Sequence, residues 1–205
     1  MIPGMDFAKA IDTTHRSVVA SSREGQPIHA VVLERTYEGS IEDVWDALTQ
    51  PERIPRWFLP VSGDLRVGGR YQLEGNAGGT ITACEPPTHL AVTWEFGEQL
   101  SWVDARLTRD GDRTVLRLEH TVPVDDHWRE FGAGAVGIGW DLTLLALAEH
   151  LVTSEQVVPD FANPDVPVFM SAASNDWCRA SIAAGTPRDD AEAAAAHTTA
   201  AYTGG

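Results

Sequence analysis

Residues 132–137 read Gly-Ala-Gly-Ala-Val-Gly, the glycine spacing with which many proteins bind the pyrophosphate of a dinucleotide. That chemistry needs a strand before the glycines and a helix that begins at them, within a strand-helix-strand unit. Here the preceding residues, DDHWREF, are polar and of helical type, and no alternating strands and helices follow. The sequence therefore predicts no nucleotide cofactor and places these glycines inside a helix.

A glycine inside a helix costs about 1 kcal/mol relative to alanine. The four glycines between residues 132 and 139 therefore need a spatial reason. Two reasons are open at this point. Another part of the backbone approaches the helix closely, or the glycines leave room for a ligand between the helix and a sheet.

The residue pattern does not favour a metal site or a nucleophilic catalytic site. The segment HTVPVDDH, residues 120–127, contains ligand-type residues, but its spacing fits neither a helical histidine pair nor a zinc loop. Cys84 and Cys178 have no C-x-x-C spacing, and no Ser-His-Asp or Cys-His arrangement is evident. We expect no metal, no cofactor and no catalytic residue.

Two polar residues share predicted strand faces with apolar neighbours. His120 alternates with Leu116 and Leu118 and is predicted to point inward, where a histidine is more often a hydrogen-bonded core residue than a catalyst. Arg35 shares a face with Tyr37. If that face is inward, the guanidinium needs a carboxylate or an anionic ligand, and pairing within the protein is favoured.

Composition and charge limit the class of partner. The chain has 205 residues, 43% of them hydrophobic, with a net charge of −15, which repels phosphate backbones and anionic lipid. No apolar run approaches the roughly 18 residues of a membrane span, and the N-terminus lacks a signal-peptide pattern. We expect a globular cytoplasmic protein with neither a nucleic-acid nor a membrane partner.

The elements follow from the spacing of apolar residues and turn residues. Residues 1–28 are predicted to be a weakly structured lead-in, and a strand begins near residue 29. Ser40 caps a helix that ends at Pro51, and a short helix carries Trp57 and Phe58. Residues 63–121 then alternate with period two between short turns, which predicts an antiparallel meander of strands.

One long helix is predicted from about Trp128 to Val152, followed by a helical tail over residues 153–205. One apolar stripe of this helix should face the sheet; it comprises Ala133, Val136, Gly137, Trp140, Leu144, Leu147, Ala148 and Leu151. A second strip consists of Ile138, Leu142 and Leu145 and needs its own cover, for which the tail is the candidate.

Several motifs in this order resemble one superfamily. They are RTYEGSIEDVWDALTQPERIPRWFLP, GGRYQLEG, GGTITACEPPTHLAVTWEF and GIGWDLTLLALAEHL. The chain is similar over about residues 29–152 to the START-like, birch-pollen-allergen superfamily, and most of all to its branch of heat-shock-protein-90 ATPase activator homologues. The resemblance implies an α+β helix-grip fold: a curved antiparallel sheet of about six to seven strands around a long C-terminal helix, with two short helices after the first strand.

The resemblance also implies a cavity between sheet and helix that holds a hydrophobic small molecule, such as a lipid. The residues expected to line it are Trp57, Phe58, Tyr71, Trp94, Phe96, Leu118, His120, Val136, Gly137, Trp140 and Leu144. For the aromatic members, plain core packing is an equally open interpretation, because aromatic side chains dominate cores with or without a pocket.

Two other functions remain open. One is an enzyme of the polyketide cyclase or aromatase type, which predicts an inward polar pair such as His120 with Arg35 or Tyr71. The other is a co-chaperone-type ATPase activator or interaction module, with a possible homodimer, that uses the strip of Ile138, Leu142 and Leu145. The 28 residues before the predicted domain are too few for the N-terminal domain of the superfamily's co-chaperones.

Overall fold

A computed structural model describes residue 7 and residues 11–157 and 162–204. Over these residues the chain forms eight strands: β1 Thr14–Arg23, β2 Gln26–Glu38, β3 Val61–Gly63, β4 Arg70–Leu73, β5 Gly78–Glu85, β6 His89–Phe96, β7 Gln99–Asp110 and β8 Arg113–Pro123. The α-helices include α1 Ile41–Thr49, α2 Asp126–Phe131, α3 Gly134–Thr153, α4 Asp165–Ala183 and α5 Arg188–Thr203, and a 3-10 helix spans Ile54–Arg56.

The strands form one sheet in the order β1-β2-β8-β7-β6-β5-β4-β3, and the neighbours from β3 to β7 pair antiparallel in sequence order. The predicted α+β helix-grip fold, with a curved antiparallel sheet and a long C-terminal helix, is confirmed. The number of strands is eight rather than six to seven. The two additional strands are β1 and the three-residue β3.

The prediction of a weakly structured lead-in over residues 1–28 is wrong where β1 lies. Thr14, Arg16 and Val18 are its buried residues, alternating with more exposed neighbours. Because two of these three inward residues are polar, the sequence lacks the alternation of apolar and polar residues that predicts a half-buried strand. A two-residue turn at Glu24 and Gly25, both with positive φ, joins β1 to β2. Such backbone is typical of a type I′ hairpin.

The chain divides into two compact units. The first unit contains Met1–Leu33, Thr121–Leu142 and Pro159–Gly205, and the second contains Glu34–His120 and Thr143–Val158. The lead-in and the tail thus belong to one unit, whereas the sequence predicted boundaries at residues 28/29 and 152/153. In the first unit α4 packs against β1, and α5 packs against both α4 and α2.

The local structure at the start of the second unit agrees with the sequence prediction. The Ser40 hydroxyl accepts a hydrogen bond from the Asp43 amide at 3.3 Å and caps α1, as predicted. Ile41, Val44 and Trp45 form the buried face of this helix. The α1 helix ends before Pro51 and the 3-10 helix follows, so two short helices are present after the first predicted strand. Trp57 and Phe58 come directly after the second of these helices and not within it.

The predicted helix from Trp128 to Val152 is two helices. Asp125 caps α2 by accepting from the Trp128 amide at 2.8 Å, and α2 ends at Gly132, whose φ is +61°. That left-handed conformation favours glycine and breaks the helix. Among the described residues, α3 is the one helix that is long and apolar enough to cross a membrane. Half of its apolar stretch is buried inside the structure, as in the core helix of a soluble protein.

Candidate functional site

The second unit carries a continuous inner face on strands β4 to β8. Cross-strand partners on this face include Cys84 with Leu90, Ile81 with Val92, and Trp94 with Ser101. Because side chains alternate along a strand, these partners all point to the same side of the sheet. Leu90, Val92 and Trp94 of β6 therefore share the inner face.

An apolar cluster covers part of this face. Tyr71, Leu73 and Ile81 are buried at its centre. Seven further side chains pack against them but stay partly accessible: Phe58, Leu59, Val61, Cys84, Leu90, Val92 and Trp94. By contrast, the inward side chains of Val103 on β7 and of Leu116 and Leu118 on β8 are at most 8% exposed. The apolar cluster is thus less completely covered than this neighbouring part of the inner face.

Trp57 and Phe58 have different roles. Trp57 is 6% exposed, and its indole nitrogen donates to the Ala47 carbonyl at 3.0 Å, which ties the segment after the 3-10 helix to α1. Phe58 stacks on Trp57 with 5.6 Å between ring centroids and 21° between planes. Trp57 is therefore a core residue that positions Phe58, and Phe58 belongs to the apolar cluster.

His120 and Ser101 form a buried polar pair on the same inner face. The Ser101 hydroxyl donates to the Trp94 carbonyl at 3.1 Å and lies 2.9 Å from Nε2 of His120. Since the hydroxyl has one hydrogen, and that hydrogen is directed to Trp94, Nε2 of His120 carries the proton and donates to Ser101. Burial lowers the pKa of His120 to about 4, so the ring is neutral at pH 7.

Two tyrosines are held by backbone carbonyls. The Tyr71 hydroxyl donates to the Thr93 carbonyl at 2.8 Å, and the Tyr37 hydroxyl donates to the Leu144 carbonyl at 3.2 Å, which joins β2 to α3. Burial raises the pKa of both phenols, so neither ionises near neutral pH. The Arg35 guanidinium lies 5.8 Å from the centroid of the Tyr37 ring, a cation–π contact.

The glycines of α3 make room for the tail. A Cβ on Gly137 would lie 2.1 Å from Cε2 of Trp177, and one on Gly134 would lie 3.0 Å from Cγ2 of Thr198. The prediction that Gly137 borders a ligand is corrected: the indole of Trp177, in α4, fills the space beside it. Close approach explains the glycine, and the approaching group is a side chain of the tail.

The remaining predicted residues have varied positions. Phe96 is 55% exposed at the end of β6 and lies outside the apolar cluster, so its predicted role as a lining residue is not supported. Leu118 and Leu144 are buried, Trp140 is 9% exposed, and Val136 is partly buried. Ligand contact by Trp140 and Val136, which lie in the first unit, stays a prediction.

The predicted interaction strip is not a free surface. Ile138 is fully buried and Leu145 is 6% exposed. Leu142, the third residue of the strip, is partly buried. Because two of the three side chains are covered within the chain itself, the strip is not a continuous apolar docking surface. Among the residues that the structure describes, no group of three or more His, Cys, Asp or Glu side chains is placed to hold a metal ion.

Sequence reasoning missed several residues of the site. Leu59, Val61, Ile81 and Cys84 join the apolar cluster, and Ser101 is the partner of His120. Strict alternation along β5 would place Ile81 and Cys84 on opposite faces, and the irregular register between Ile81 and Ala83 brings both to the inner face, so no local signal could have found the pair. For Ser101 the signal was its place opposite Trp94 in a hairpin, which requires the register of the two strands.

Comparison with known proteins agrees with this fold. Residues 38–152 match the family described as Activator of Hsp90 ATPase homolog 1-like protein, and no curated protein sequence matches the chain significantly. The crystal structure of CalU16 from Micromonospora echinospora has a TM-score of 0.69 and 30% identity, over 82% of this chain and 97% of CalU16. This likeness extends beyond the family segment, because residues 38–152 are a smaller share of the chain.

Two further solved structures are similar. Protein MLL2253 from Mesorhizobium loti has a TM-score of 0.54 and 28% identity, over 62% of this chain and 99% of that protein. DynU16, from the dynemicin biosynthetic locus, has a TM-score of 0.57 and 21% identity over 62% of this chain and 48% of DynU16, a likeness of fold alone. The chain belongs to the Activator of Hsp90 ATPase homolog 1-like family of the START-like superfamily.

Proposed function

We propose that the protein binds a hydrophobic small molecule against the inner face of its sheet, at the apolar cluster. The observation that carries this proposal is the partial exposure of Leu90, Val92 and Trp94 on β6. These side chains point to the same face as the buried residues of β7, yet they are not fully covered. Leaving apolar surface accessible costs roughly 25 cal/mol per Å², which a bound apolar molecule recovers.

The composition of the cluster favours a mostly apolar ligand with aromatic character. Phe58 and Trp94 offer ring surfaces, while Leu59, Val61 and Val92 contribute aliphatic surface. The ring of His120 lies 5.6 Å from that of Trp94, so a polar pair borders the apolar surface. Ligand pockets commonly combine apolar walls with a few such polar groups. Family membership supports the same proposal, since this fold family commonly binds small hydrophobic molecules.

Catalysis of the cyclase or aromatase type is the second candidate, and the His120–Ser101 pair is the observation that favours it. The expected inward polar pair exists, with Ser101 in place of Arg35 or Tyr71. However, a histidine with a pKa of about 4 is a weak base at pH 7, and a general base works best with a pKa near the operating pH. The pair is therefore better suited to orienting a ligand than to removing its proton.

Native mass spectrometry of gently purified protein, together with displacement of a hydrophobic dye, tests binding. We expect a co-purified small molecule or a saturable dye site, and a loss of dye affinity of at least about fivefold in Trp94→Ala. Trp102→Ala is the matched control, because Trp102 lies on β7 and faces the opposite side of the sheet from Ser101 and Trp94. Both variants are first checked for cooperative unfolding, since partly unfolded chains bind such dyes non-specifically.

Equal loss of affinity in Trp94→Ala and Trp102→Ala would place the dye elsewhere and overturn the proposal. So would a protein without any bound small molecule and without a saturable dye site. A polyketide-like substrate that is turned over, with turnover lost in His120→Gln and dye affinity kept, would establish the second candidate instead.

A further inference from the structure

A groove of about 640 Å³ lies within the first unit, apart from the apolar cluster. It is lined by α2, by the C-terminal part of α4 and by α5, and the lining includes Trp128, Phe131, Ser181, Ala194 and His197. Its size falls in the range of about 300–1,000 Å³ that is typical of small-molecule sites. None of the seven partly exposed residues of the apolar cluster lines this groove.

Aromatic rings form one wall of the groove and are held in place by neighbouring rings. Trp128 meets His29 edge to face, with 4.7 Å between centroids. Phe131 lies between His127, at 4.8 Å, and His197, at 6.3 Å. The Nδ1 atom of His197 donates to the Glu130 carbonyl at 3.1 Å, which fixes α5 against the end of α2. The ring surfaces are therefore preorganised on both helices.

Small residues make up a further part of the lining. They are Ala184 and Gly185 at the end of α4 and Ala191, Ala193, Ala194 and Ala195 on α5. At Gly132, a Cβ would already lie 3.1 Å from the Cβ of Ala194, so this edge of the groove is narrow. A lining that combines aromatic rings with alanines is suited to a flat ring.

The charges that line the groove are mainly negative. Arg129 is the arginine of the lining, and its guanidinium is paired with Asp126 at 2.6 Å. Glu130 and Asp190 line the groove, and neither has an ion pair among the described residues. Burial lowers the pKa of His29, so that ring adds no positive charge at neutral pH. A cation therefore complements the groove, and aromatic ring faces attract cations as well.

We propose that this groove is a second small-molecule site, which binds an organic cation with an aromatic body, of the arylalkylamine class. The ring of the ligand lies between Trp128 and the alanines of α5, and its ammonium group lies near Glu130 and Asp190. The charge complementarity of the rim selects this occupant over an anionic aromatic molecule of the same shape.

Binding of tryptamine to the full chain, followed by NMR on the indole N–H groups, tests the proposal. The Trp128 signal is identified by its loss in Trp128→Phe. We expect tryptamine to shift this signal and indole-3-acetate, which has the same ring with an anionic group, to leave it unchanged. Asp190→Asn should weaken tryptamine about threefold, and Asp190→Asn combined with Glu130→Gln about tenfold.

Two further variants separate the groove from general charge effects. Asp189→Asn removes a charge from the same first turn of α5 but not from the groove, so tryptamine affinity should stay unchanged. Ala193→Trp fills the groove from an exposed position of α5 and should abolish the shift. Equal binding of tryptamine and indole-3-acetate, an equal effect of Asp189→Asn and Asp190→Asn, or binding that survives Ala193→Trp would each overturn the proposal. Dye binding at the apolar cluster is measured separately in Ala193→Trp, so a failure here is distinguishable from a failure there.

Discussion

The indole nitrogen of Trp177 donates a hydrogen bond to Oδ2 of Asp141 at 2.9 Å. The same carboxylate receives the Arg16 guanidinium, with Nη2 2.8 Å from Oδ1. Arg16 lies on β1, Asp141 on α3 and Trp177 on α4, so one buried carboxylate joins three elements of the first unit. Burial raises the pKa of Asp141, while the charge of Arg16 and the hydrogen bonds from Arg16 and Trp177 oppose that rise.

Replacing this carboxylate is expected to destabilise the protein strongly. In Asp141→Asn the Arg16 side chain, 3% exposed, loses its most buried counter-charge and keeps Asp176 at 3.0 Å. Removing one partner of a buried ion pair typically costs about 3–5 kcal/mol, and the retained Asp176 contact places the expected loss near the lower end. Urea unfolding of the full chain measures this change in the free energy of unfolding.

Asp110→Asn is the matched control for this variant. Asp110 pairs with Arg113 at 2.7 Å, but both side chains are about half exposed. An exposed ion pair contributes roughly 0–1 kcal/mol, so this variant should keep nearly the stability of the parent chain. If both substitutions cost the same, the Arg16–Asp141 pair does not anchor β1 and the tail.

Gly137 is predicted to tolerate no side chain. In Gly137→Ala the new Cβ would lie 2.1 Å from the Trp177 ring, which is itself 1% exposed and hydrogen-bonded. The ring or the helix must therefore move, and overpacking of this kind costs about 1–3 kcal/mol. The midpoint of thermal unfolding should fall accordingly.

Gly139→Ala separates this steric effect from helix propensity. Gly139 lies two residues further along α3, and the nearest atom to its Cβ position is the Tyr202 hydroxyl at 3.7 Å, an ordinary contact. Alanine is the better helix former by about 1 kcal/mol, so Gly139→Ala should stabilise the protein. Two alanine variants with opposite signs would locate the requirement for glycine at the contact with Trp177. Stabilisation by both would contradict it.

Most of the second unit could be predicted from the sequence because its signals are local. The Ser40 cap, Pro51 and the period-two alternation of β5 to β8 each depend on residues close in sequence. β1 escaped prediction because its inward residue Arg16 is balanced by Asp141, 125 positions away. No local pattern reveals that an arginine in a polar strand points inward.

In the candidate site, too, the features set by local sequence could be predicted and those set by tertiary contacts could not. Strand alternation placed Trp94 and His120 on the inner face, and both lie there. The role of Gly137 could not be predicted in the same way, because it depends on which element packs against α3 beside this residue. The glycine cluster indicated either an approaching backbone or room for a ligand, whereas the structure places the Trp177 side chain beside Gly137.

The pH dependence of stability is expected to depend on His120. Its pKa is about 4 in the folded state, because burial disfavours the charged ring, and near 6.5 in the unfolded chain. Between these values the unfolded state binds more protons than the folded state, so the free energy of unfolding rises with pH through this window. The full effect of this one group from pH 4 to pH 7 is roughly 3 kcal/mol.

Urea unfolding at about pH 4.5, 5.5, 6.5 and 7.5 measures the free energy of unfolding of the parent chain and of His120→Gln. Glutamine can donate to Ser101 as Nε2 of His120 does, but it does not titrate. The variant should therefore show a flatter dependence of stability on pH, even if its stability at pH 7 is lower. His15→Gln removes an exposed histidine and should keep the slope of the parent chain. Equal slopes in His120→Gln and the parent chain would mean that the pKa of His120 hardly differs between the folded and unfolded states, which would contradict the lowering of this pKa by burial.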